Sequence, residues 1–208
     1  MLLIDLSNNN TVRDLTAIKR YGVVGAWLKV SDGLSFIDGT YKYRSILLQK
    51  LGIRTGGYHF ARCSSFNAEV EAHSFVSALG EVGRRDLRPV LDLEVISPAF
   101  NPVLLGNWSR TFCQYVLSHT GVCPIVYSYA SFLQAMKLPK PIGCGLWLAS
   151  YGANDGKEHP YGLPRPWTSA VAHQFTSNGK LLGIDGTVDL TYAPKLRPLL
   201  AHPIVGLL

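Results

Sequence analysis

Hydrophobic and polar positions along the chain resolve into eight short strand-like segments: Leu2–Leu6, Val23–Val30, Thr55–Ala61, Arg88–Val95, Pro124–Tyr129, Gly145–Tyr151, Ala170–Thr176 and Thr187–Tyr192. Several are apolar on both faces, as parallel strands covered by helices should be. Stretches of helical period separate the early ones. A weak helix is predicted over Val12 to Arg20. In the next, Tyr43, Ile46, Leu47 and Leu51 fall on one face, and Gly52 supplies a C-terminal stop. Asn67 caps a third; Glu69 and Glu71 suit its positive end, and Ala72, Phe75, Val76 and Leu79 form its stripe. A fourth carries Trp108, Phe112, Tyr115, Val116 and His119 on its buried side, and a short fifth covers Phe132 to Met136. Strand alternating with helix implies right-handed crossovers and a parallel sheet.

Past Met136 the pattern changes. Lys137–Gly145 and Gly152–Trp167 are rich in Pro and Gly and lack a helical stripe, so loops should join the last three strands. The expected fold is α/β: an irregular, TIM-like eight-stranded βα barrel with helices after the first five strands. No linker, internal repeat or second hydrophobic block divides the 208 residues, so one domain over 1–208 is expected.

Composition narrows the function. Hydrophobic residues make up 47% and charged residues 16%, which excludes a disordered chain. The apolar runs are too short to cross a bilayer, and the start, Met1 to Asp5, does not read as a signal peptide. The net charge of +6 comes from scattered Lys and Arg. Without a basic tract, that charge does not indicate a nucleic-acid binder, though it favours encounter with an anionic polymer. Cys63, Cys113, Cys123 and Cys144 lack zinc-site spacing. They are expected to be buried free thiols, with a Cys113–Cys123 bridge as the alternative.

The segment Arg88-Pro-Val-Leu-Asp-Leu-Glu-Val-Ile96 carries the most chemistry. Strand alternation puts Val90, Asp92 and Glu94 on one face and Leu91, Leu93 and Val95 on the other. In a barrel the acidic face points inward, with the two Cα atoms roughly 6–7 Å apart. Two close, buried carboxyls do not both ionise easily, so one should stay protonated near neutral pH and serve as a general acid. An ordinary reading competes: Asp92 caps a turn and Glu94 makes a rim salt bridge. The pair sits near the C-terminal end of an apolar strand, where barrel active sites lie. Asp5 ends the first strand and Asp189 lies in the last. Closure makes these strands neighbours, so both acids could reach the same mouth, although either could serve as a turn or capping residue.

The motifs then resemble a known family. Ile4-Asp-Leu-Ser7, Trp27-Leu-Lys-Val-Ser-Asp-Gly33, Gly57-Tyr-His-Phe60, Pro89-Val-Leu-Asp-Leu-Glu94, Ile125-Val-Tyr-Ser128, Leu146-Trp-Leu-Ala-Ser-Tyr-Gly152 and Gly186-Thr-Val-Asp-Leu190 follow the order found in glycoside hydrolase family 25 lysozymes. The resemblance runs from Ile4 to about Tyr192. It implies hydrolysis of the β-1,4 bond between N-acetylmuramic acid and N-acetylglucosamine in bacterial peptidoglycan, without a metal or cofactor. By position Glu94 is the proton donor, Asp92 orients and stabilises the reacting centre, and Asp5 and Asp189 complete the acidic cluster. Tyr58, Tyr127 and Trp147 are expected to contact sugar, as are Lys29, Asp32 and Gln174. His59, facing away from Tyr58, is assigned a structural role.

Three positions depart from the family pattern. Asp32 stands where many relatives have Glu, His173-Gln-Phe175 replaces Trp-Gln-Tyr, and Thr191 replaces Asn. A chitinase-like enzyme would carry a longer Asp-x-x-Asp-x-Asp-x-Glu run, which Asp86 to Asp92 does not reproduce. A catalytically inactive wall-binding protein is the alternative from another class. The expected settings are a phage endolysin held in the host cytoplasm before release, or an exported autolysin. The oligomeric state is not encoded in these patterns.

Overall fold

The computed structural model describes residues 1–63, 67–82, 85–95, 100–136 and 143–201. Its strands are β1 (Leu2–Leu6), β2 (Val23–Asp32), β3 (Phe36–Ile37), β4 (Arg54–Phe60), β5 (Val90–Asp92), β6 (Ile125–Tyr129), β7 (Gly145–Ala149), β8 (Ala172–Gly179) and β9 (Val188–Tyr192). All but β3 form a closed eight-stranded barrel in the order β1-β9-β8-β7-β6-β5-β4-β2, with β1 pairing β2 to complete the ring. The two residues of β3 fold back on the end of β2. Helices α1 (Leu15–Arg20), α2 (Tyr41–Lys50), α3 (Ala68–Gly80), α4 (Pro102–Thr120) and α5 (Ala130–Met136) lie in the first five crossovers. Loops join β7, β8 and β9 among the described residues.

Local chemistry sets the helix ends. Asp14 accepts from the Thr16 amide at α1, and Asn67 from the Glu69 amide at α3. Asn101 accepts from both Val103 and Leu104 at α4, followed by Pro102 in the first turn. Each cap satisfies amides that have no partner within the helix. Gly121 closes α4 at φ 70°, in the left-handed region that glycine enters without steric cost.

Two hydrophobic cores flank the barrel wall. Outward-facing residues such as Ile4, Leu28, Leu91, Val126 and Leu148 pack with Phe75, Leu79, Trp108, Phe112 and Val116 of α3 and α4. Inward-facing Leu3, Trp27, Val90, Ile125, Trp147 and Ala172 fill the interior, with Leu87 and Leu199. Gly56 and Gly57 serve these two cores in turn. A Cβ on Gly56 would stand 2.9 Å from both Trp27 and Leu87, and one on Gly57 would stand 2.5 Å from both Leu79 and Val30. The base of the barrel is tied by Arg88, whose guanidinium donates to the carbonyls of Cys123, Pro124, Gly143 and Pro198. At the same end the Met1 nitrogen donates to the Ala193 carbonyl, 2.9 Å away.

Several sequence expectations are corrected. The sheet is not wholly parallel, because β9 runs antiparallel to both β1 and β8. Ladder pairing of the Arg88–Val95 segment covers Val90–Asp92 alone, so Glu94 lies just past the strand. The first helix begins at Leu15, while Val12 instead bridges Ile184. On α2, Tyr43, Ile46 and Leu47 face outward, and Tyr41, Arg44, Ser45 and Leu48 are buried. The helix is turned this way because Arg44 donates to the carbonyls of Ser7 and Asn10, and Ser45 pairs with Thr55. His119 is exposed in the last turn of α4, with its Nδ1 2.9 Å from the Tyr115 carbonyl. All four cysteines are buried and none is in a disulfide, and Cys123 lies against Cys144, which is not the partner that sequence spacing suggested. The segment Lys137–Gly145 falls largely outside the described residues.

The contacts of Gly57 yield a test. Gly57→Ala should force α3 away from β4 and lower stability by about 1–3 kcal/mol, as overpacked cores do. Urea denaturation of the two proteins measures this; equal midpoints would contradict the close packing.

Candidate active site

Alternation along the strands assembles one mouth from side chains far apart in sequence. Asp5 of β1 stands directly across from Asp189 of β9. Asp92 of β5 lies between Phe60 of β4 and Tyr127 of β6, and Tyr127 is in turn beside Trp147 of β7. Together with Ser7, Asn9, Asn10, Lys29, Tyr58 and Glu94, these residues line a cleft of about 270 Å³. Asp32 and Gln174 stand behind that lining. All ten residues singled out in the sequence therefore fall at the mouth or within one hydrogen bond of it.

The walls are held by a polar relay. The Gln174 amide donates to Asp5 at 2.8 Å, and its carbonyl oxygen accepts from the hydroxyls of Tyr127 at 2.7 Å and Tyr151 at 2.6 Å. Trp147 stacks on Trp27, with centroids 4.4 Å apart, and its indole donates to Thr191. Thr191 thus has a structural partner at the position where the family pattern departs. His173, another departure, has its Nε2 2.8 Å from the Ser150 carbonyl.

Electrostatics set the carboxyls apart from surface acids. Burial, then the charge of Asp189, holds Asp5 well above the usual carboxyl range. Burial, then the charge of Glu94, does the same to Asp92. Glu94 is raised by burial, while a hydrogen bond from Asp92 acts in the opposite direction. Asp189 is raised by burial and relieved by a hydrogen bond from Asp5. The four carboxyls therefore form two proton-sharing pairs, Asp5 with Asp189 and Asp92 with Glu94. Within each pair the proton favours the more buried member. Asp92 is nearly inaccessible, and its Oδ1 has no hydrogen-bond partner among the described residues. Burial and the charges of Asp5 and Asp92 also raise Tyr58, which keeps its hydroxyl protonated beside them.

Lys29 and Asp32 are engaged with each other at 2.9 Å, and Arg62 grips both Asp32 oxygens at 2.6 and 3.0 Å. Burial would raise Asp32, but the hydrogen bonds from Arg62 and Lys29 reverse this and leave it below its usual range. Arg62 and Lys29 also lie over the Phe60 ring, 4.5 and 5.0 Å from its centroid. Behind this rim, His59 and Glu71 are fully buried, with Nε2 3.0 Å from Oε2 and Nδ1 2.9 Å from the Ser31 hydroxyl. Burial lowers the His59 pKa, so a neutral ring donating to Glu71 and accepting from Ser31 satisfies all three groups.

Sequence reading missed Phe60, Asn9, Asn10, Tyr151 and Arg62 as site residues. Alternation from Trp147 through Ala149 would have placed Tyr151 on the inner face. Nothing local marks Arg62, whose partner is thirty residues away.

A closed βα barrel with paired carboxyls and aromatic walls at its mouth is the architecture of a glycoside hydrolase domain. The chain belongs to the glycosyl hydrolases family 25, whose model matches residues 4–184. It is 28% identical to an autolytic lysozyme of Clostridium acetobutylicum over 187 residues, covering 90% of this chain and 54% of that protein. It is also 25% identical to lysozyme M1 of Streptomyces globisporus, covering 89% and 65%. The chain thus spans between half and two thirds of the length of these relatives. Among solved structures, the spore cortex lytic enzyme SleM of Clostridium perfringens superposes with a TM-score of 0.84 at 25% identity, over 96% of this chain and 69% of that one. A Streptomyces coelicolor lysozyme shares the fold, with a TM-score of 0.81 at 21% identity over 94% and 92%.

The raised carboxyls define a pH dependence of stability. Folded Asp5 and Asp92 bind protons more tightly than in the unfolded chain, where Asp titrates near about 3.9. Their contribution is complete below that value and is lost as pH rises towards their folded pKa values. Asp92→Asn should flatten this decline and match or exceed the wild-type melting temperature at neutral pH. Melting curves from pH 4 to 8 measure it, and a steeper decline in the variant would contradict the protonated state of Asp92.

Proposed function

We propose that this chain is a peptidoglycan hydrolase cleaving the β-1,4 bond between N-acetylmuramic acid and N-acetylglucosamine, acting as one catalytic domain over 1–208. The carrying observation is that Asp92 and Glu94, both raised by burial, stand in hydrogen-bond contact at a mouth walled by Tyr58, Tyr127 and Trp147. The lysozyme relatives support the substrate class. In this reading bacterial peptidoglycan is the partner, and the protein meets it as a released phage endolysin or as an exported autolysin.

Glu94, the more accessible member of its pair, takes the shared proton from Asp92 across their hydrogen bond and gives it to the glycosidic oxygen, which leaves Asp92 ionised. The muramyl 2-acetamido oxygen attacks the anomeric carbon from the opposite face as that bond breaks, forming a cyclic oxazolinium. Asp92 accepts the acetamido N–H through its open Oδ1, and its ionisation balances the positive charge on the ring. The Glu94 carboxylate then takes a proton from water, which opens the ring with net retention. Hydrogen-bond contact between the two carboxyls supports this route. An inverting water needs a separation of about 6.5–9.5 Å between its two acids, so a pair in contact is more in keeping with a retaining route. Asp5, Asp189 and Gln174 keep the mouth polar and fixed. The aromatic rings stack on or hydrogen-bond to sugar, and the Lys29–Asp32 pair binds at the rim.

Digestion of purified peptidoglycan, followed by labelling of the new reducing ends, tests the reading. Wild-type protein should release muramic acid ends, and Glu94→Gln should reduce the rate by about 10²–10⁴-fold, the usual share of a general acid. Asp92→Asn should be severely impaired and Asp32→Asn less so. Glucosamine ends would reassign the bond. Wall binding without any new ends would favour the non-catalytic alternative.

A further inference from the structure

At the end of the barrel opposite the cleft, three buried thiols converge. Cys123 precedes β6, Cys144 precedes β7, and Cys113 lies on α4 within hydrogen-bonding reach of Cys144. The Sγ atoms of Cys123 and Cys144 are 3.2 Å apart. We propose that Cys123 and Cys144 are a disulfide-forming pair that links the starts of β6 and β7 when the protein is in an oxidising environment.

Backbone geometry allows the bond. Ile125 pairs with Gly145, and continuing that parallel register backward leaves Cys123 and Cys144 one residue out of step on neighbouring chains. Strand spacing and rise then separate their Cα atoms by roughly 5–6 Å, inside the window that disulfides occupy. From that separation, side-chain torsions have to close the sulfur gap from 3.2 Å to about 2.05 Å. Gly143 makes room: its φ of 76° turns the chain into Cys144, and an added Cβ would already touch the Cys123 sulfur at 3.4 Å. Arg88 fixes both chain segments by donating to the carbonyls of Cys123 and Gly143.

The reaction is thiol–disulfide exchange with a small disulfide such as oxidised glutathione. One cysteine thiolate attacks the oxidant, releasing one reduced molecule and leaving a mixed disulfide. The second thiolate displaces the other half. Two thiols lose two protons and two electrons, and one disulfide is reduced to two thiols. The hydrogen bond with Cys144, then burial, raises Cys123 well above the usual thiol range; contact with Cys113, then burial, raises Cys144, against a lowering contribution from Cys123. Exchange is therefore slow in the closed fold and quickest while the chain is folding.

The experiment refolds the full chain in a glutathione redox buffer or in excess reductant. It then counts alkylatable thiols under denaturing conditions, maps the linked peptides and records melting curves. Oxidised wild-type protein should keep two free thiols, Cys63 and Cys113, and yield a Cys123–Cys144 peptide. It should melt on the order of 5–10 °C higher than the reduced form, as expected for a cross-link closing a loop of about twenty residues. Cys113→Ala should retain the link and the shift. Cys123→Ser and Cys144→Ser should lose both while keeping the lytic activity of the reduced protein. Four free thiols after oxidative refolding, or a link through Cys113, would overturn the proposal. Neither result bears on the assignment of the cleft.

Discussion

Closure of the barrel by an antiparallel last strand is the constraint on which the mouth depends. Because β9 runs against both β1 and β8, Asp189 comes to stand opposite Asp5. That pairing fixes one proton-sharing couple on the wall opposite Asp92. Gln174 of β8 donates to Asp5 and is clamped there by Tyr127 and Tyr151. Backbone pairing across the closing seam is thereby carried, through one amide, to the strands on the far side of the cleft.

The cost of this arrangement is electrostatic. Four carboxyls share a small, poorly hydrated space, and Lys29, whose charge tempers Asp92 and Glu94, is itself bonded to Asp32. Protonation, with hydrogen bonds inside each pair, relieves the repulsion that ion pairing would otherwise have to relieve. The same condition supplies a carboxylic acid near neutral pH, so the feature that burdens stability is the one general acid chemistry requires.

Much of this was legible in the sequence because strand alternation is a strict rule. Alternation alone places Val90, Asp92 and Glu94 on one face, along with the aromatic positions at strand ends. The period of the hydrophobic pattern also gave the five helices and the loop-joined final strands. What escaped were choices made by tertiary partners. Helix α2 carries an apolar stripe, yet it buries Arg44 because two loop carbonyls beside the cleft need donors. The direction of β9 depends on loop length and on pairing on both flanks, neither of which a window of residues records. Arg62 reaches Asp32 across thirty residues, and Cys123 meets Cys144 through strand adjacency when sequence distance favours Cys113.

The bond between the Met1 nitrogen and the Ala193 carbonyl has a further implication for architecture. Since β1 enters and β9 leaves at the base, the polypeptide arrives and departs on the side remote from the cleft. A polypeptide joined ahead of Met1, or continuing on from Ala201, would start from behind the barrel. Reporter tags or affinity handles joined ahead of Met1 accordingly start on the face remote from the cleft.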